Sequence, residues 1–272
     1  MSDQEARYDR IAEQYATWWA PVHRPSTLGL LELLQLDLDH GAVRVVDVGC
    51  GTGAFAAAIV RRWPGVEIDG TDVSAGMVAV AERERDGLPA AARARFRLHQ
   101  APADRLPFGD GSHDVATSSF VLQLVPNRFR ALREMHRVLR PGGQIAITGW
   151  MEGGAPFAAD EAYDAALEAA GLDPRPPGGG HTDFRSPAET EAVLRRAGFS
   201  RPRATPSELA HQFTPESYLA FVASFDDEDL FTSLGPDQRA SLEADVLDRL
   251  QGLSPAALRM VLPVVYATAI RR

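Results

Sequence analysis

The chain has 272 residues, 45% hydrophobic and 24% charged, the proportions of an ordinary soluble globular protein long enough for one large or two small domains. Its formal net charge of -9 argues against nucleic acid as a partner, and the pairs Arg61-Arg62, Arg195-Arg196 and Arg271-Arg272 are scattered rather than gathered into a basic face. A single cysteine excludes an internal disulfide framework and a thiolate metal cluster; the polar residues 1–5 and the lack of a long apolar run lead to the expectation of a cytoplasmic protein that does not span a membrane.

Tyr8, Ile11, Ala12, Tyr15 and Trp18-Trp19 recur at spacings of three and four, which predicts an amphipathic helix over residues 6–19. Pro21 and Pro25 are expected to break it before a second helix from Leu28 to Leu36. Tyr8 and Trp18 are expected to dock on the core, whereas Tyr15 and Trp19 either do the same or close over a ligand. The run Val45-Val46-Asp47-Val48 reads as a buried parallel strand. It ends in Gly49-Cys50-Gly51-Thr52-Gly53, after which a helical pattern covers Ala54 to Arg62. Glycines allow positive φ and close backbone approach, and the following helix points unpaired N–H groups into the same space. Strand, glycine turn and helix together make a nucleotide-type pocket at the carboxyl edge of a sheet. Cys50, between two glycines, reads as a small packing residue rather than a nucleophile.

A second strand, Val66 to Thr71, ends at Asp72, and Ser74 caps a helix from Ala75 to about Arg85 that carries Met77. Residues 86–94 read as loop, Phe96 to His99 as a third strand, Ala101 to Gly111 as loop, and Asp114 to Ser119 as a fourth strand. Pro126 opens a helix with a buried stripe at Phe129, Leu132, Met135, Val138 and Leu139. Pro141-Gly142-Gly143 stops it, and Gln144 to Trp150 is a fifth strand. Strands alternating with helices at this pitch imply a parallel sheet covered on both faces. The remainder is less regular: a helix over 158–171, a Pro/Gly loop from Pro174 to Gly180, a helix opened by Ser186-Pro187, a strand within Arg203 to Phe213, helical stretches near 215–224 and 236–251, and a closing strand from Val261 to Ile270.

Gly49, Gly51 and Ala54 also satisfy the dinucleotide spacing G-x-G-x-x-A, so NAD and an adenosine-containing sulfonium are both open at this point. A carboxylate placed like Asp72 can accept both hydroxyls of a ribose in either case. The stretches Leu106-Pro107-Phe108-Gly109-Asp110-Gly111-Ser112-His113-Asp114 and Leu132-Arg133-Glu134-Met135-His136-Arg137-Val138-Leu139-Arg140-Pro141-Gly142-Gly143 discriminate. With Val46 to Gly53 they resemble the class I S-adenosylmethionine-dependent methyltransferases, most closely the small-molecule branch with ubiquinone/menaquinone methyltransferase-like members. The resemblance covers about residues 8–150 and, more loosely, the closing strand.

It implies an α/β fold: a doubly wound, mostly parallel seven-stranded sheet, Rossmann-like, with N-terminal helices and a helical insertion covering the substrate. The expected division is a helical cap (1–40), a cofactor-binding core (41–150), and a region (151–272) that completes the sheet and holds the acceptor. The cofactor implied is S-adenosyl-L-methionine, with S-adenosyl-L-homocysteine as product. Gly49, Gly51 and Gly53 would line its methionine part with Asp47 supporting the loop, and Asp72 would hold the ribose. Val73 would press on the adenine, Ala103 and Asp104 would meet its edge, and Ser118 and Ser119 would lie beside the methyl. Cys50, Met77 and Tyr15 complete the expected contacts. Three departures stand out. Ala101-Pro102 replaces the family's Gly-Asp, leaving Asp104 to supply a carboxylate from two residues away. His113 replaces an aromatic before Asp114, and Gln123 stands where many relatives carry histidine. The Asn/Asp-Pro-Pro-aromatic motif of nucleic-acid amino-methyltransferases and the metal-ligating carboxylates of catechol-type enzymes are both absent, so metal-independent chemistry is expected.

Methyl transfer from a sulfonium is an in-line displacement that needs mainly alignment and exclusion of water; a base matters when the acceptor is a hydroxyl or an acidic carbon. Of seven histidines, His23, His181 and His211 lie where they can border the acceptor, with His181 favoured because of its flexible loop; His40, His99 and His136 read as structural or solvated. Trp150, Phe157, Phe213, Tyr218, Phe221 and Phe225 divide between a second small core and an apolar or aromatic acceptor pocket. Asp226-Asp227-Glu228-Asp229 reads as a solvated helix start rather than a metal site. The expected function is methylation of a small apolar or aromatic metabolite, quinone-like or a natural-product intermediate, by a monomer or homodimer with no nucleic-acid or membrane partner. The alternatives are a non-methylating S-adenosylmethionine-binding cyclase, decarboxylase or regulatory module, and an NAD-dependent oxidoreductase.

Overall fold

A computed structural model describes residues 3–39, 43–173 and 184–272. The chain begins with α1 (Asp3–Gln14), widens into one broad turn over Tyr15–Trp19, and continues as α2 (Ala20–Asp39). The expected break at Pro21 and Pro25 does not occur. In the broad turn the Ala20 N–H reaches back five residues to the Tyr15 carbonyl, and Pro25 sits inside α2. Proline in a helix interior costs about 3 kcal/mol. Leu30, Leu34 and Leu38, at most 2% exposed, are packed beneath α2, and three buried leucines contribute roughly 6 kcal/mol. Packing outweighs the proline.

β1 (Arg44–Val48), α3 (Ala54–Arg62), β2 (Glu67–Asp72) and α4 (Ala75–Asp86) follow as the sequence indicates. The Ser74 hydroxyl accepts from the Met77 N–H at 3.0 Å and caps α4. A one-turn helix, α5 (Ala90–Arg93), occupies part of the expected loop before β3 (Phe96–Gln100) and β4 (His113–Ser119). α6 (Arg128–Val138) begins two residues beyond Pro126 because Asn127 supplies the cap, accepting from the Arg130 N–H. β5 (Leu139–Trp150) starts directly after α6 and includes Pro141-Gly142-Gly143. Its register against β4 slips between His113 and Val115, so the bulged residues need no ladder bonds. α7 (Ala158–Ala169), α8 (Pro187–Arg196), β6 (Phe199–Gln212), α9 (Pro215–Phe221), a second broad turn (Val222–Asp226), α10 (Glu228–Ser233), α11 (Pro236–Gln251) and β7 (Arg259–Arg271) complete the chain. The Pro174 to Gly180 loop and His181 lie outside the described residues.

The seven strands form one sheet in the order β3-β2-β1-β4-β5-β7-β6. β1 to β5 run parallel, and β7 is antiparallel to both β5 and β6. From β1 the order moves outward through β2 to β3, then restarts at β4 on the other side. The switch therefore falls between β1 and β4, where doubly wound sheets open a crevice at the carboxyl ends of their strands. No described helix is long and apolar enough to cross a membrane.

α1 is fastened across this crevice. The Asp9 carboxylate accepts from the Ser74 hydroxyl at 2.6 Å and the Gly76 N–H at 3.0 Å, and a carboxylate at the N-terminus of α4 meets the positive end of its dipole. Asp9→Ala is expected to cost about 1 kcal/mol, since the bonds are partly solvated; a urea midpoint indistinguishable from wild type would remove the clip from this account.

Candidate active site

Two cavities flank the glycine turn. The smaller, about 280 Å³, is lined by Tyr8, Asp72, Val73, Met77, Ala103 and Asp104 among others. The larger, about 490 Å³, lies between the turn and the N-terminal helices, with Asp47, Cys50, His23, Arg24 and Thr27 in its wall. They meet at Tyr15, Gly49, Gly51 and Ser119, which line both. The strands thus end where an elongated ligand can lie across the β1/β4 switch, one part on either side of the glycines.

The turn is held from below. The Gly49 and Cys50 N–H groups donate to the Thr71 carbonyl at 2.8 and 2.9 Å. One Asp72 oxygen accepts from the Gly51 N–H and the other from the Ser74 N–H, each at 3.0 Å. Gly49 has φ of 73°, and a Cβ there would stand 2.3 Å from a Val121 methyl; only glycine fits.

Asp47 is buried and accepts from the Thr117 hydroxyl at 2.8 Å. Burial raises its carboxyl to about 7, opposed by that hydrogen bond and assisted by the charge of Asp72. Burial also raises Asp72, against the backbone hydrogen bonds that it accepts. Neither carboxylate has an ion-pair partner among the described residues. Two acidic groups that destabilise each other's charge are therefore held in a low-dielectric crevice without an ion pair among the described residues, an arrangement that a positively charged ligand relieves.

Ser118 and Gly53 line neither cavity. The Ser118 hydroxyl donates to the Val48 carbonyl at 2.9 Å, because alternate residues of a strand face opposite ways and Ser119 takes the cavity side. Gly53 is the N-terminal cap of α3 with φ of 76°, and a Cβ there would press on Ala81. Its glycine serves the turn and the approach of α4. Asp104 faces the smaller cavity and stands 3.7 Å from Arg130.

Among the histidines, His23 lines the larger cavity, with Nε2 at 2.6 Å from the Tyr15 hydroxyl. Burial lowers it to about 4, so it is neutral at pH 7. His211 lies on β6 with its ring against Phe213 and lines neither cavity. His99 and the buried His113 both bond the Asp69 carboxylate.

Trp150, Phe157, Phe213, Tyr218, Phe221 and Phe225 pack together with α7 and α11 in a second core, and none lines either cavity. Phe213, Tyr218, Phe221 and Phe225 are buried there, and Trp150 and Phe157 pack against them partly exposed. In the acidic run, Asp227 precedes α10 and accepts from the Tyr163 hydroxyl at 2.7 Å. The described residues contain no group of three metal-type ligands.

Tyr8 packs against the core as expected and also faces the smaller cavity, in edge contact with Tyr15 at 5.7 Å between centroids. The two tyrosines are seven residues apart, two helical turns, and that spacing was the available signal. Thr27, 2.8 Å from the Ser119 hydroxyl, and Phe120, at φ of 55° in the wall of the smaller cavity, carried no local signal.

Residues 46–147 match a family described as a methyltransferase domain. Over 114 residues the chain is 41% identical to a ubiquinone/menaquinone biosynthesis C-methyltransferase of Geobacter sp. (strain M21), covering 40% of this chain and 46% of that one. The chain spans about half the length of the curated relatives it matches. Its fold is similar to that of a protein of Bacillus halodurans C-125 described as a methyltransferase, with 18% identity, a TM-score of 0.57, and coverage of 89% of this chain and 98% of that one. It is also similar to the cyclase SpnF, at 22% identity and a TM-score of 0.50, over 85% of this chain and 75% of that one. Identities this low speak to the fold alone.

Proposed function

We propose that the chain, whose residues 46–147 match a methyltransferase-domain family, is a class I S-adenosylmethionine-dependent methyltransferase that transfers the methyl group of that cofactor to a small organic acceptor in the larger cavity. The observation that carries the reading is the pair of buried carboxylates, Asp47 and Asp72, at a glycine turn shared by two cavities. S-adenosylmethionine brings a sulfonium and an ammonium, cations that can pair with these carboxylates, together with a ribose for the remaining lone pairs of Asp72. The nucleoside belongs in the smaller cavity beside Asp72, Val73, Met77, Ala103 and Asp104. The amino-acid end belongs along Gly49, Cys50 and Gly51 toward Asp47.

The bound cofactor supplies an electrophilic methyl. The chain's contribution is to hold the acceptor in line with it and to keep water out, through Tyr8 and Tyr15 on one side and Ser119 on the other. The larger cavity mixes apolar walls (Ala20, Pro21, Leu28, Phe55) with polar ones (Thr27, Arg24), which suits a ring-bearing acceptor with polar substituents. Relatives named for ubiquinone/menaquinone C-methylation support a quinone-like compound of that kind.

Calorimetric titration with S-adenosylmethionine, S-adenosylhomocysteine and NAD tests the reading, with binding of the first two and not the third expected. Binding of NAD alone overturns it. Release of S-adenosylhomocysteine in the presence of acceptors separates a transferase from a cyclase, decarboxylase or regulatory module. Gly49→Ala is expected to weaken S-adenosylhomocysteine binding at least about tenfold, since the new methyl meets Val121 and the backbone there is left-handed. Unchanged affinity in that variant would take the turn out of the site.

A further inference from the structure

His23 and Tyr15 form a buried pair whose hydrogen-bond accounting does not close. The Tyr15 hydroxyl and His23 Nε2 are 2.6 Å apart, and no second hydrogen bond of that hydroxyl is present among the described residues. A proton on Nε2 would point at the tyrosine oxygen and leave the phenolic proton without an acceptor. With Tyr15 donating to Nε2 the proton of the neutral ring sits on Nδ1, and one unmet group, the Nδ1–H donor, remains instead of two, the phenolic donor and the Nδ1 acceptor. Nδ1 is buried and has no partner.

Two more buried polar atoms without partners, Gln123 Oε1 and Thr148 Oγ1, are tied to the same neighbour. The Gln123 amide donates to the Phe120 carbonyl at 2.8 Å, the Phe120 N–H donates to the Thr148 carbonyl at 2.9 Å, and the Phe120 ring lies 5.3 Å from that of His23. Phe120 itself is held at φ of 55°, a costly conformation for an aromatic residue, which clusters at functional sites. Of these three residues only His23 stands in a cavity wall, so its Nδ1 is the unsatisfied atom that a polar group of a ligand can serve. An orphaned buried donor is expensive to keep, and an oxygen supplied by a ligand recovers that cost.

Building on the methyltransferase reading, we propose that His23 Nδ1–H grips an oxygen of the methyl acceptor, with Tyr15 fixing the tautomer, so that the site selects hydroxylated or enolisable acceptors over amines. An amine must offer its one lone pair to the methyl carbon, and an N–H donor in the site competes for that pair. A phenolate or enolate oxygen has pairs to spare. The acceptor enters the reaction as its anion, the proton having gone to solvent. Its oxygen, or the α or ortho carbon next to the carbon that bears it, forms the new bond to the methyl as the C–S bond breaks, and the bonding pair leaves on sulfur. His23 is a catalytic residue in this scheme, because it touches the acceptor; Tyr15 is a positioning residue.

Nitrogen-15 spectra of the histidines in the full chain saturated with S-adenosylhomocysteine test the tautomer without any acceptor. A neutral His23 protonated on Nδ1 at pH 7 is expected, moving to the Nε2 tautomer in Tyr15→Phe; an Nε2–H ring in the wild type overturns the proposal. Turnover with 1-naphthol and 1-naphthylamine as probes tests the selection. Methylation of the naphthol, a kcat at least tenfold lower in His23→Phe, and partial recovery in His23→Asn, whose amide N–H replaces Nδ1–H, are expected, with S-adenosylhomocysteine affinity within threefold in all. Preference for the amine, methylation of neither probe, or an unchanged kcat in His23→Phe defeats it. Failure of the wild type to bind S-adenosylhomocysteine defeats the underlying reading instead.

Discussion

Asp72→Ala is expected to weaken S-adenosylhomocysteine binding by about 100-fold or more. The carboxylate ties the glycine turn to the start of α4 by accepting from both Gly51 and Ser74, and it lines the smaller cavity, to which the proposed function assigns the ribose. Hydrogen bonds to a charged group contribute about 1.5–3 kcal/mol each, so losing two corresponds to two or more orders of magnitude. Asp72→Asn keeps one accepting oxygen and should fall between, near tenfold. Calorimetry on the three proteins decides. A change below threefold in the alanine variant would mean that the sugar is held elsewhere.

Asp47→Asn should separate stability from binding. The native carboxyl of Asp47 sits at about 7 against an ordinary value of 3.8, chiefly because it is buried. Between those values the folded chain keeps a proton that the unfolded chain has lost. Stability from this group is therefore complete below pH 4 and declines as pH rises, levelling off above about 7. At about 1.4 kcal/mol per pH unit the decline approaches 4 kcal/mol, an upper figure for a buried group. Asparagine does not titrate and its side-chain oxygen still accepts from Thr117. Relative to wild type, the variant should gain a few kcal/mol between pH 4.5 and pH 8, read from urea midpoints, while its affinity for the cationic methyl donor drops at least tenfold. A stability difference flat across that range would show that Asp47 is ionised throughout. The wild-type residue is then an instance of stability given up for a ligand.

Much of the central sheet was readable because its signals are local. Val45, Val46 and Val48 are each 0% exposed, and a strand buried on both faces announces itself by an unbroken apolar run. The glycine turn, Ser74 and Asp72 follow from backbone requirements that only a few residue types meet. Pro21 and Pro25 point to a break because helix propensity is local, whereas the leucines that override it gain their stability only by contact with α3 and β1. The same limit applies to Trp150, Phe157, Phe213, Tyr218, Phe221 and Phe225. Apolar character shows that a ring is buried, and only packing tells whether another side chain or a ligand buries it. Ser118 and Ser119 were indistinguishable as a pair until the pleat assigned one to the cavity and the other to the Val48 carbonyl.

The Asp9 clip has a kinetic and thermodynamic corollary. Tyr8 and Tyr15, which wall the smaller cavity, ride on the segment that Asp9 fastens to α4, so a docked segment and a complete pocket are one and the same state. Apparent affinity then scales with the docked fraction of the population. A substitution at Asp9, which lines neither cavity, should consequently quicken escape of a bound nucleoside by the factor it removes from that fraction, and bound nucleoside should in turn slow amide exchange along α1.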